Sequence, residues 1–120
     1  MSGGNIESIQ ALWNTLDSGN LSQLQVLYAP DVQFEDPISK GKGIGELKAH
    51  FEKLFRNFSG VSYVYGRSLQ VESDVIIEWT LKATLRHDKG AFELPGISWL
   101  KLNPESGKIE TSREYYNLRA

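Results

Sequence analysis

The stretch Val32-Gln33-Phe34-Glu35-Asp36-Pro37 places a carboxylate where it could move protons. Val32 and Phe34 alternate with Gln33 and Glu35, and a period of two carries Asp36 to the apolar side if the strand reaches it. A carboxylate aimed at an apolar interior is costly unless it is paired, hydrogen-bonded or protonated. Asp36 is therefore either a working general base or an Asx-turn residue ahead of Pro37. Near the end of the chain Ser112, Glu114 and Tyr116 share one strand parity, and Arg113 takes the other. With Glu114 inside, it is a second carboxylate aimed at the interior and needs the same compensation as Asp36. Tyr116 would add a hydroxyl. With Arg113 inside, Glu114 is a surface charge or a partner in a salt bridge between subunits.

Helices and strands must hold these groups. Ile6, Ile9, Leu12, Trp13 and Leu16 recur at helical spacing behind Asn5, a suitable N-cap. Gly19 suits a left-handed position ending that helix. Asn20 with Gln23 resembles a capping box for a second short helix, with Leu21, Leu24, Leu27 and Tyr28 as its stripe and Pro30 as its stop. After the loop carrying Gly41, Gly43 and Gly45, the residues Ile44, Leu47, Phe51, Leu54, Phe55 and Phe58 form one helical stripe. That loop lacks the context of a phosphate-binding motif and reads as a flexible start to the helix.

From Gly60 the period changes to two. Val61 to Val71, Val75 to Leu85, Phe92 to Leu102 and Ile109 to Leu118 read as four strands joined by turns at Glu72-Ser73-Asp74, His87 to Gly90, and Asn103 to Gly107. Pro95-Gly96 predicts a bulge or bend in the third of them. Trp79 shares a face with Ile77 and Leu81, and Ser98 has the opposite parity to Trp99, which would then lie on the outer sheet face and suit a subunit interface. His50 sits at the edge of its helical stripe, a setting for a satisfied, partly buried histidine, and His87 lies in a turn.

The order of elements defines an α+β protein, and 120 residues suffice for one core, so residues 1–120 are expected to form a single domain. A formal charge of −2 gives no electrostatic case for nucleic acid or an anionic membrane surface. The sequence contains no cysteine and two separated histidines, so neither thiolate chemistry nor a histidine metal cluster is expected. The start lacks the features of a signal peptide, and Val75-Ile76-Ile77 is the longest aliphatic run, so a cytoplasmic location is expected.

The run Leu27-Tyr28-Ala29-Pro30-Asp31-Val32-Gln33-Phe34-Glu35-Asp36-Pro37, the loop from Gly41 to Gly45, and Gly107-Lys108-Ile109 ahead of Arg113-Glu114-Tyr115-Tyr116 resemble the nuclear transport factor 2-like superfamily, in its SnoaL-like and ketosteroid isomerase-like branch. The resemblance implies a cone-shaped, cystatin-like fold: three N-terminal helices packed on a strongly curved, mainly antiparallel sheet that encloses one apolar pocket. It also implies a homodimer joined through the outer sheet face, and no cofactor.

In ketosteroid isomerases the aspartate matching Asp36 is the proton-shuttling base. Leu12 and Ser98 stand where those enzymes keep their oxyanion tyrosine and protonated aspartate, so steroid isomerisation is not expected. Limonene epoxide hydrolases use an Asp-Arg-Asp set. Trp79 and Leu81 stand at its arginine and first aspartate, and Glu114 at the last. The resemblance thus implies a cofactor-free enzyme acting on a small apolar carbonyl compound, with Asp36 as base, Glu114 and Tyr116 as further catalytic groups, and Trp13, Phe51, Trp79 and Ser98 around the ligand. The alternative is a non-catalytic ligand-binding or protein-interaction module on the same fold; no peptide-docking groove is marked.

Overall fold

The computed structural model describes residues 5–117. Asn5 accepts a hydrogen bond from the Ser8 N–H at 2.8 Å and closes a capping box, so helix α1 (Ile6–Thr15) begins where its sequence says. It ends on Leu16, which turns extended, and Gly19 lacks the left-handed conformation expected of it. The Asn20 side chain bonds the Asp17 N–H and the Thr15 carbonyl, so it is not available to cap the next helical segment. A 3-10 turn over Leu21–Gln23 leads into the one-turn helix α2 (Leu24–Leu27), without the expected capping box. Strand β1 (Tyr28–Glu35) starts at once, so Tyr28 and Pro30 belong to a strand, not to a helix and its stop.

A three-residue strand, β2 (Lys40–Lys42), folds back on β1 and leads into α3 (Ile44–Asn57) through Gly43, whose φ of 91° favours glycine. Strands β3 (Phe58–Val71), β4 (Asp74–Leu85), β5 (Ala91–Leu102) and β6 (Ile109–Tyr116) come after it as antiparallel neighbours. Leu118, read as the end of the last strand, lies outside the described residues. The six strands are ordered β2-β1-β6-β5-β4-β3, and β1 runs parallel to β6. The β4–β5 ladder runs without interruption through Pro95 and Gly96, so the bulge expected there is absent.

One face of this curved sheet carries the helices. Ile9 and Trp13 of α1, Leu16 just beyond it, and Leu47 and Phe55 of α3 pack with Val32, Val75, Ile77, Leu81, Leu100 and Ile109 into one core. Each fully buried aliphatic side chain there contributes roughly 1.5–3 kcal/mol. Strand β3 is a sheet edge, and Asn14 covers part of it: its side chain accepts from the Tyr63 N–H at 2.8 Å and donates to the Tyr63 carbonyl at 3.3 Å. This fastens α1 across the open edge and fixes where Tyr63 projects.

Candidate functional site

Two rows of residues cross the inner face. In the first, Ile77 of β4, Ser98 of β5 and Glu114 of β6 are direct neighbours across three strands. In the second, two residues along each strand, stand Trp79, Gly96 and Tyr116. A Cβ on Gly96 would penetrate the Trp79 ring, so the missing side chain is what lets the indole lie across β5. The Trp79 and Tyr116 rings then meet with centroids 6.4 Å apart.

The parallel pairing of β1 with β6 adds Asp36. Phe34 pairs with Ser112 and Glu35 with Arg113, so the next step along both chains brings Asp36 to the level of Glu114. Glu35 and Arg113 face outward as an exposed ion pair at 3.6 Å. Glu114 faces inward, which resolves the choice left open by the sequence against a surface role.

Asp36 does two jobs with two oxygens. Its Oδ1 accepts from the Ile38 N–H (3.0 Å), the Ser39 N–H (2.8 Å) and the Ser39 hydroxyl (3.0 Å), the Asx-type turn anticipated before Pro37. Its Oδ2 lies 3.6 Å from Nε2 of His50 on α3. The carboxylate is only 5% exposed, and the Tyr116 hydroxyl donates to it, which raises the tyrosine pKa beyond the effect of burial. Burial lowers the His50 pKa, and the nearby Asp36 charge opposes that shift in part.

Glu114 is held by hydroxyls. Ser98 donates to Oε1 at 2.6 Å and Ser112 to Oε2 at 2.9 Å. Trp79 Nε1–H donates to the Ser98 oxygen at 2.8 Å and so turns the serine proton towards the carboxylate. Burial raises the Glu114 pKa to about 7; the two serine hydrogen bonds oppose the rise, and the Asp36 charge adds a smaller upward push. Ser98 is fully buried and its hydroxyl proton is committed to Glu114, so it supports that carboxylate and offers no free donor to a ligand.

Aromatic rings pack together on the inner face of the sheet. Trp13 is buried and donates to the Tyr28 hydroxyl at 2.9 Å. Its ring lies 5.9 Å from that of Tyr63 and 6.4 Å from that of Tyr65. Tyr63 meets Trp79 edge-on at 83°. Phe51 is half-buried on α3 between His50 and Phe55. The Tyr63 hydroxyl has no hydrogen-bond partner among the described residues. Burial raises the Tyr63 pKa well above its ordinary value.

Elsewhere, a shallow depression of about 240 Å³ lies on the outer face between Trp99, Arg113 and Tyr115. A second, of about 820 Å³, borders β1, β2 and β6. Neither is lined by Asp36 or Glu114, although Phe34 and Ser112, neighbours of that pair, border the second. Among the described residues no three His, Asp or Glu side chains converge as metal ligands would, and no helix is long and apolar enough to cross a membrane.

The structure thus brings Asp36, Glu114 and Tyr116 together, with Trp79 beside them and Trp13 and Phe51 in the surrounding walls. Sequence reasoning missed His50 as the residue facing Asp36, and Tyr28 and Tyr63 near Glu114; it placed Ser112 on the face of Glu114 without giving it a role. Strand parity could have signalled Tyr63. The His50–Asp36 contact joins a helix to a loop, and no local pattern encodes it.

The sequence pattern of the SnoaL-like domain matches residues 9–111. Similar solved structures include a protein of ketosteroid isomerase-like fold from Catenulispora acidiphila, solved in complex with trimethylamine. It has a TM-score of 0.81 and 15% identity over 98% of this chain and 88% of that one. A candidate SnoaL-like polyketide cyclase from Jannaschia gives 0.77 and 14% over 99% and 91%. A candidate isomerase of the SnoaL-like family from Agrobacterium tumefaciens gives 0.73 and 21% over 92% of each chain. Identities this low establish the shared fold alone. No curated protein matches the sequence.

Proposed function

The chain belongs to the SnoaL-like domain family, and from that premise we propose that it is a cofactor-free enzyme that transfers protons on a small carbonyl compound bound in the concavity. The observation that carries this reading is the division of labour at Asp36. Three donors on Oδ1 fix the carboxylate, while Oδ2 is left facing His50 inside an aromatic enclosure. A base so held needs no reorganisation before it abstracts a proton adjacent to a carbonyl, and such a group contributes roughly 10²–10⁴-fold in rate. Glu114, with its pKa raised to about 7, is the complementary acid that returns a proton near neutral pH. Tyr116 donates to Asp36 and would orient it against the substrate.

A second reading, a non-catalytic binding module, is favoured by one observation. Ser98 gives its proton to Glu114, and Leu12 has none to give, so neither supplies an oxyanion donor. The two readings separate in a thermal-shift screen of small apolar ketones, phenols and enones. Ligand at 100 times its dissociation constant stabilises by roughly 2.7 kcal/mol. An enzyme turns over its hit and loses turnover in Asp36→Asn; a binding module shows the shift and no turnover in either form.

The outer sheet face supports a homodimer in the same proposal. Ile97, Trp99 and Tyr115 are large apolar side chains exposed together on β5 and β6, and aromatic residues are enriched at such interfaces.

A further inference from the structure

Proton removal next to a carbonyl leaves charge on the carbonyl oxygen, and neither Ser98 nor Leu12 supplies a donor for it. Helix α3 carries one beside the base. His50 Nε2 lies 3.6 Å from Asp36 Oδ2, too far for a hydrogen bond between the two. Neither ring nitrogen of His50 is hydrogen-bonded to any of the described residues. Its side chain is 38% exposed, against 5% for Asp36, so the pair meets solvent on the histidine side.

Packing and charge set the state of the ring. Phe34 and Phe51 lie 5.6 Å and 6.0 Å from it between centroids, Phe51 edge-on at 84°. Burial lowers the His50 pKa, the Asp36 charge opposes that shift, and the Lys53 charge adds to it. The imidazole is then neutral at pH 8, with a single N–H. The acceptor-only carboxylate beside Nε2 favours the hydrogen on that nitrogen. A donor and a base thus stand side by side, neither spent on the other. In a carbonyl compound the oxygen and the carbon that loses its proton are separated by one atom, so this pair can reach both at once.

We infer that His50 is the oxyanion donor of this site, its Nε2–H holding the carbonyl oxygen of a ligand whose adjacent carbon faces Oδ2 of Asp36. The placement of the ligand rests on the reading of Asp36 as the base. When Oδ2 takes the proton, the C–H electron pair forms the enolate double bond and the carbonyl π pair moves to oxygen, where the Nε2–H meets the charge. Return of a proton to carbon restores the carbonyl, so the step needs no co-reactant. The substrate class is thereby narrowed to carbonyl compounds with hydrogen on the adjacent carbon.

The test uses the full chain at pH 8 with 2-tetralone, an apolar ketone with acidic hydrogens beside its carbonyl. NMR follows deuterium uptake from D2O and, with the carbonyl carbon isotopically labelled, the shift of that carbon on binding. His50→Phe keeps a ring without the donor, and its kcat for exchange should fall by roughly 10²–10³-fold with KM changed far less. His50→Leu, a second variant without a donor, should behave alike. His50→Gln retains an N–H at similar reach and should stay within about tenfold of the parent. The bound carbonyl carbon should move downfield in the parent and in His50→Gln, and not in His50→Phe. Unchanged exchange in His50→Phe, equal losses in the Phe and Gln variants, a carbonyl shift independent of residue 50, or failure of the parent to bind the ketone would each overturn the inference. Exchange lost in Asp36→Asn but kept in His50→Phe would overturn it and leave the base standing. A carbonyl shift that depends on His50, with exchange unaffected by Asp36→Asn, would do the reverse.

Discussion

Oδ2 of Asp36 lies 3.6 Å from Nε2 of His50, while Oδ1 of the same carboxylate is held by three donors from its own loop. The turn-forming and the chemical readings of Asp36 are therefore not rivals, because each uses a different oxygen. Removing the carboxylate's charge without its shape separates them. Asn retains an Oδ1 acceptor for Ile38 and Ser39, so the loop should survive a substitution that removes the carboxylate charge.

Gly96→Ala should be among the most damaging single-methyl additions in the sheet. The new Cβ would occupy the space of the Trp79 ring, and the indole also orients Ser98. Overpacking of this kind costs typically 1–3 kcal/mol. Urea unfolding of the variant should show a lower midpoint by that measure. A midpoint equal to the parent's would mean that Trp79 has room to move.

Glu114 makes stability depend on pH with a definite sign. Its folded pKa, about 7, is above its unfolded value near 4.5. The proton-linked stabilisation is therefore fully present below pH 4.5 and is lost as pH rises through 7, a loss on the order of 3 kcal/mol. Glu114→Gln carries no such proton. Relative to the parent, the variant should gain in melting temperature between pH 5 and pH 8, and parallel curves for the two proteins would contradict the assignment.

Ser98→Ala removes a donor from Glu114 and the acceptor of Trp79 Nε1–H together. A buried group left without its partner costs about 1–3 kcal/mol. Because the Ser98 hydrogen bond favours the ionised carboxyl, its loss should also move the Glu114 titration to higher pH. Carboxyl-carbon NMR would follow that midpoint, and a shift to lower pH would refute the role given to Ser98.

Trp99→Glu places a charge in the exposed aromatic patch of the outer face. Sedimentation at micromolar concentration should show a dimer for the parent and a monomer for the variant. A monomeric parent would remove the interface from the account.

Much of this arrangement was legible in the sequence, because local period and short-range chemistry encode it. Period two along β6 places Glu114 and Tyr116 on one face, Asn5 announces α1, and the stripe from Ile44 to Phe55 announces α3. Non-local or competing interactions hid the rest. The three-residue strand β2 is too short to show a period, and the parallel β1–β6 pairing joins segments from opposite halves of the chain. Asn20 looked like a cap but bonds backwards to Asp17 and Thr15. Pro95 and Gly96 looked like a break, yet Gly96 marks the place where the Trp79 ring crosses β5.

The central claim is that Asp36 removes a proton from a bound carbonyl compound. The most direct measurement is NMR-detected deuterium incorporation beside the carbonyl of a bound ketone in D2O, comparing the parent protein with Asp36→Asn. The account predicts enzyme-dependent exchange that falls by roughly 10²–10⁴-fold in the variant while its melting temperature stays close to the parent's. Exchange at the same rate in both proteins would contradict it.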